Sequence, residues 1–369
     1  MVKFPAYFKI TQILLGLVIF FYILYIGQEI LKPLTFALVL AILLNPVTLF
    51  LQRFGTGRVL SIVISVLLLC LVVGGILFFI GSQVSMFREA LPELKRKFLL
   101  LSEQVLTWAA STFNVPRERI TEWINEQKTA GLSDASGVVG NTLVSLSGVL
   151  VTVLLVPIYI FLFLFYKPLL LDFAGRVFSS DKHRTVAEIL GNTKKMIQSY
   201  LVGLLLEMLI MTTLYTIVLL IVGVQYAFVL AVIGALLNLV PYIGGLIALA
   251  IAILMTLITA TPMQALFVLI GYVVIQLIDN NFLVPMIVAS KVKVNALVSI
   301  VVVLIWGGLW GVAGMFLSIP ITAMIKVIFD RVKPLKPYGF LLGDTMPPIG
   351  KKIFRINVHQ KDARSGPPD

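Results

Sequence analysis

Long apolar runs constrain this chain more than any other feature. Residues 10–27, 34–51, 59–82, 141–166, 197–222 and 263–286 are each apolar over most of their length. A helix rising about 1.5 Å per residue crosses a hydrocarbon core of about 30 Å in about 20 residues. Within that core every backbone N–H and C=O needs a partner inside the protein, which helices supply. An all-α integral membrane protein is expected. The charged fraction, 12%, agrees. It is half the roughly 25% of a soluble domain.

The net charge of +12 does not point to nucleic acid, because its distribution follows a bilayer. In the alternating topology the runs suggest, 21 basic residues fall in cytoplasmic segments and 8 in external ones. That is the positive-inside bias. It places both termini and the 167–196 segment in the cytoplasm, and 83–140 outside a bacterial cytoplasmic (inner) membrane. Lys3 and Lys9 precede the first run in the manner of a signal peptide. Gly27-Gln28-Glu29 is a poor cleavage site, so an uncleaved first helix is expected. Cys70 is the sole cysteine, which rules out an intrachain disulfide.

The runs divide the chain into five parts. Residues 1–82 hold three spans, with a tight external turn at Glu29, Lys32 and Pro33. Residues 83–140 form an external helical insertion. Its Leu91, Leu94, Phe98, Leu101, Val105 and Trp108 follow a 3,4 spacing that marks an amphipathic helix. A second helix is expected from Asn114, and a linker from Gly131 to Gly140. Residues 141–196 hold a fourth span and an interfacial helix. Residues 197–333 form a core with broken helices, and 334–369 a basic cytoplasmic tail. About eight spans are expected in all.

Within the core two runs are too short to cross alone. Residues 226–240 end at Pro241, Tyr242, Gly244 and Gly245, and 294–306 end at Trp306, Gly307, Gly308, Trp310 and Gly311. Proline removes a backbone donor and glycine weakens helix continuity. Two re-entrant or broken helical hairpins, 226–259 and 294–329, are expected to flank the 263–286 span, which Pro285 would close. Opposed broken helices of this kind build central sites in many secondary transporters. Ordinary hairpins crossing the whole bilayer are the alternative.

Two carboxylates, Glu207 and Asp279, lie within the apolar runs. An intramembrane ionisable group is costly and normally faces a cavity or a bundle interior. Tyr272, Gln276 and Asp279 share a helix face, extended by Asn280 and Asn281. Glu207 shares a face with Tyr200, Gly203 and Met211, and Gly203 would admit a close neighbour. Asn238 and Tyr242 flank Pro241, where an unwound turn could present backbone groups to an ion or solute. Structural clamping between helices is the plainer reading of Asp279 and of Glu207. The chain lacks an H-E-x-x-H or Walker A sequence, and its histidines, His183 and His359, lie in cytoplasmic segments. These features disfavour an enzyme, and the sequence calls for no cofactor and no metal.

Three segments together resemble the autoinducer-2 exporter family of bacterial permeases. They are Leu237-Asn238-Leu239-Val240-Pro241-Tyr242-Ile243-Gly244-Gly245, Gln276-Leu277-Ile278-Asp279-Asn280-Asn281-Phe282-Leu283-Val284-Pro285, and Gly307-Gly308 through Gly314 followed by Pro320. The resemblance covers roughly residues 1–335. It implies an eight-span permease that assembles as a homo-oligomer, exporting autoinducer-2 in some members and exchanging sodium for protons in others. The expectation is a secondary transporter that exports a small polar solute, with autoinducer-2 a candidate, coupled to a proton or cation gradient through Asp279. A sodium–proton antiporter and a non-transporting membrane scaffold are the alternatives.

Overall fold

The computed structural model describes residues 6–113, 154–179, 182–241, 243–289, 292 and 294–344. The second insertion helix, its linker, Tyr242 and the tail beyond 344 lie outside these residues. The described chain forms α1 (Ala6–Ile26), α2 (Gln28–Arg53), α3 (Arg58–Phe113), α4 (Leu154–Phe165), α5 (Lys167–Val177) and α6 (His183–Val222). Then come α7 (Ala227–Asn238), α8 (Ile243–Thr259), α9 (Pro262–Ile278), a π-helix (Asp279–Ala289), α10 (Ala296–Arg331) and α11 (Lys336–Leu342). Among the described residues the only extended pairing is one isolated bridge, Val294 with Gly343. The fold is all-α.

Among the described residues five helical stretches are long and apolar enough to cross a bilayer, or six if α4 and α5, bent by 63°, form one span. Reaching the expected eight would require shorter apolar helices such as α7 and α8 to count as well.

Three expected boundaries differ. The turn at Glu29–Pro33 is absent, for those residues are helical within α2. The break is Gly27 alone, whose N–H donates to Ile23 and whose carbonyl accepts from Leu31. Helical hydrogen bonding thus continues past Gly27. The third span ends at Ser82 as expected, but its helix does not, because α3 runs unbroken for 56 residues, about 84 Å. Its C-terminal part continues the spanning helix, with Trp108 exposed. Pro285 does not close its span either. The chain continues through it to Ala289 in the wider π form, which relaxes the usual i→i−4 pattern that proline breaks.

Both short runs are helical hairpins. A β-carbon on Gly244 would overlap the Leu237 carbonyl, and one on Gly314 the Trp306 carbonyl. Trp306 and Gly314 are eight residues apart, about 12 Å along a straight helix. Their contact means that α10 folds back on itself at Gly311, where φ is 64° and ψ −147°. That conformation is open to glycine alone among common residues. The first arms, α7 and 296–310, measure about 18 and 22 Å, less than the thickness of a bilayer core.

α6 organises the rest. Its Tyr215 and Leu219 enter one apolar core with α7, α8 and α9, while Ile197, Tyr200 and Leu204 enter a second with α2 and α10. A third core joins α2, α3 and α4. At one end, Thr261 and Gln264 form a capping box that starts α9. The Gln264 side chain also donates to the Val222 carbonyl at 2.9 Å, pinning the end of α6 to the start of α9. Many large apolar side chains remain exposed on the single chain, as expected where lipid is the solvent.

Candidate transport site

Glu207 lies 15 residues before the end of α6, and Asp279 immediately follows the 17 residues of α9. With those two ends pinned together, both carboxylates lie about 22–26 Å from them, within the span of a bilayer core. They are 4% and 2% exposed. What joins them is Asn238, the last residue of α7. Its Nδ2 donates to Glu207 Oε1 at 3.2 Å and to Asp279 Oδ2 at 3.1 Å. One amide on a hairpin tip thus bridges two acids on two other helices. Gln276 Nε2 is 3.5 Å from Asp279 Oδ2, while Asp279 Oδ1 is buried with no partner among the described residues.

Glycines permit this approach. A β-carbon on Gly245 would come within 2.6 Å of Gln276 Oε1 and 3.1 Å of Asn238 Oδ1. One on Gly203 would come within 2.7 Å of the Ile287 carbonyl on the π-helix. The close neighbour expected at Gly203 is therefore the π-helix that follows Asp279.

A cavity of about 440 Å³ opens from the carboxylates. Tyr200, Glu207, Asn238, Pro241, Gln276 and Asp279 line it. Ala296, Ser299 and Asp344 line it where the second hairpin begins. Asn295 ties the start of α10 to the end of α11 by donating to the carbonyls of Leu341 and Gly343. A second cavity, of about 410 Å³ between α8 and α9, shares Gln276 and Asn280 with the first.

The family model for AI-2E family transporters matches residues 14–333. The chain belongs to that family. The AI-2 transport protein TqsA of Escherichia coli K12 is 27% identical over 324 residues, covering 86% of this chain and 90% of TqsA. PerM of the same strain is 30% identical over 329 residues, covering 86% and 91%. YueF of Bacillus subtilis is 26% identical over 362 residues, covering 90% and 95%. The chain is a multi-pass membrane permease of the AI-2E family.

Among the residues singled out in this AI-2E family chain, Glu207, Asn238, Gln276 and Asp279 meet, with Pro241 and Asn280 on the cavity wall. Asn281 does not join them. It is exposed and donates to the Leu277 carbonyl of its own helix. Gly307, Gly308 and Gly311 shape the tip of the second hairpin and do not line the cavity. Pro285 lies past the site, inside the π-helix. Tyr215 was missed. It continues the Glu207–Met211 face at a spacing of four and stacks on Tyr272, so extending that face by one turn would have found it.

Proposed function

We propose that this protein is a secondary transporter that moves a small polar solute outward across a bacterial inner membrane, coupled to a proton or cation gradient through Asp279 and Glu207. The observation that carries the reading is the Asn238 bridge between two buried carboxylates, with Asp279 Oδ1 left unpaired. A carboxylate oxygen at bilayer depth is expensive without a partner, and a proton or cation satisfies it. Because Asn238 belongs to the hairpin tip, loading or emptying the acids changes what holds that tip in place. The adjoining 440 Å³ cavity falls within the usual size of small-molecule sites. Autoinducer-2 is the leading candidate solute, on the strength of the resemblance to TqsA. The proposed assembly is a homo-oligomer with both termini in the cytoplasm.

The test is gradient-driven efflux in proteoliposomes, normalised to folded protein by size-exclusion chromatography. Asp279→Asn keeps the shape of the side chain but cannot titrate, and should abolish coupled transport. Asp279→Glu should retain part of it. Full gradient-dependent activity in Asp279→Asn would remove the coupling role. Sodium-induced alkalinisation of inverted vesicles, with no solute moved, would instead identify an antiporter using the same acids.

A further inference from the structure

Five donor-bearing side chains from four helices gather apart from the residues that line the carboxylate cavity. Asn45, in the last turns of α2, is 6% exposed. Lys167 opens α5, and its Nζ donates to Asn45 Oδ1 at 2.8 Å. Arg58 opens α3, and its Nη2 donates to the carbonyls of Leu164, at 3.3 Å, and Phe165. On the other side, Gln198 Nε2 donates to the Ile42 carbonyl at 2.7 Å and fixes α6 against α2. Lys194, one turn from Gln198 on the same face, comes near enough to repel Lys167.

The cluster lacks negative charge. Arg58 finds carbonyls at the end of α4, but Lys167 and Lys194 form no ion pair among the described residues. Nearby carboxylates are engaged elsewhere, Asp172 by Arg176, Glu188 by Arg184 and Arg331, and Asp330 by Lys326. Lys167 also begins a helix whose first turn holds no acid, where the macrodipole opposes a cation. Burial, with repulsion from Lys194 and Arg58, pushes the pKa of Lys167 below its ordinary value.

The decisive atom is Asn45 Nδ2, which is buried and finds no acceptor among the described residues. The amide cannot flip to satisfy it, because Oδ1 must face the Lys167 ammonium. A buried donor beside one uncompensated cation, which a second cation repels, calls for an acceptor with negative charge.

We propose that Lys167, Lys194 and Asn45 form a binding site for a phosphate-bearing anion. Two sources share that chemistry, the headgroup of an anionic lipid and free phosphate. Lipid is within reach, since Tyr166, Leu169 and Leu170 beside Lys167 are 47%, 60% and 45% exposed. The site is independent of the carboxylate pair and of the transport reading.

The test is thermal unfolding of the purified full-length protein in detergent. The probes are dioctanoyl phosphatidylglycerol, dioctanoyl phosphatidylcholine and inorganic phosphate. Saturable stabilisation is expected from phosphatidylglycerol but not from phosphatidylcholine. If phosphate fails where phosphatidylglycerol succeeds, the source is lipid; equal response at similar concentration assigns free phosphate. Lys167→Gln with Lys194→Gln should weaken the response about thirtyfold, at about 1 kcal/mol for each charge removed. Lys333→Gln with Lys336→Gln removes equal charge from an exposed segment and should leave the response intact. If the first double variant fails to fold, Lys194→Gln alone should weaken binding about fivefold. No saturable response in the wild type overturns the proposal. So does an equal response to phosphatidylcholine, or an undiminished response in the Lys194 variant.

Discussion

The rings of Tyr215 and Tyr272 stack with centroids 4.3 Å apart and planes 13° from parallel. Each lies about two helical turns from a carboxylate, Tyr215 from Glu207 and Tyr272 from Asp279. Both hydroxyls are buried without a partner among the described residues. An unsatisfied buried hydroxyl costs about 1–3 kcal/mol, so the stack is apolar packing that carries two unmet polar groups. Tyr215→Phe should keep the stack and raise the unfolding temperature. If the hydroxyl solvates the coupling ion, efflux in proteoliposomes should fall about tenfold, a loss of about 1.4 kcal/mol. Unchanged efflux would leave Tyr215 a packing residue.

Asn238 is the only residue described as bonding to both acids. Replacing it by Leu leaves Glu207 without its amide and Asp279 with only the long Gln276 contact. Each orphaned acceptor costs about 1–3 kcal/mol or more for a charged group. Asn238→Leu should therefore lower thermal stability in detergent by several degrees and stop transport. A fully stable Asn238→Leu variant would mean that the bridge contributes little.

The hairpin turns make a sharper pair of tests. Ala at Gly244 or Gly314 drives a β-carbon into backbone, the Leu237 or Trp306 carbonyl. Backbone cannot yield as a flexible side chain can, so each should destabilise by about 1–3 kcal/mol. Gly308, at the same tip as Gly314, has nothing within 4 Å of the added carbon. Gly308→Ala should be neutral, or stabilising by up to about 1 kcal/mol. Chemical denaturation of the three variants checks the order.

Topology is open to labelling. In a Cys70→Ser background, single cysteines at Ser111, near the far end of α3, and at Lys333, beyond α10, are both at exposed positions. They should react with an impermeant thiol reagent from opposite sides of the membrane. Reaction of both from one side would overturn the proposed orientation.

The all-α membrane class was legible because lipid imposes it. Any run of about 20 apolar residues in a bilayer must satisfy its own backbone. Glu207 and Asp279 were legible for the same reason, as rare acids where acids are expensive. Pro241 and the glycines signalled broken helices through their own backbone chemistry, and Gly203 signalled a close neighbour. Periodicity then named the faces of single helices, which is why Tyr272, Gln276 and Asp279 were read together.

It could not name which faces meet. Asn238 is 31 residues from Glu207 and 41 from Asp279, and only the fold-back of α7 onto α8 brings it between them. Asn281 was placed on the polar stripe by helical spacing, but the helix widens at Asp279 and its amide turns to its own backbone. The continuous α3 and the helical run through Gly27 into α2 escaped notice because hydropathy marks where a helix leaves lipid, not where it ends. The sequence by itself determined the solvent, the helices and the costly groups, each a property of one segment and its surroundings. Tertiary structure decided the bridge, the cavity and the cation cluster, because each depends on side chains of different helices meeting within hydrogen-bond or charge range.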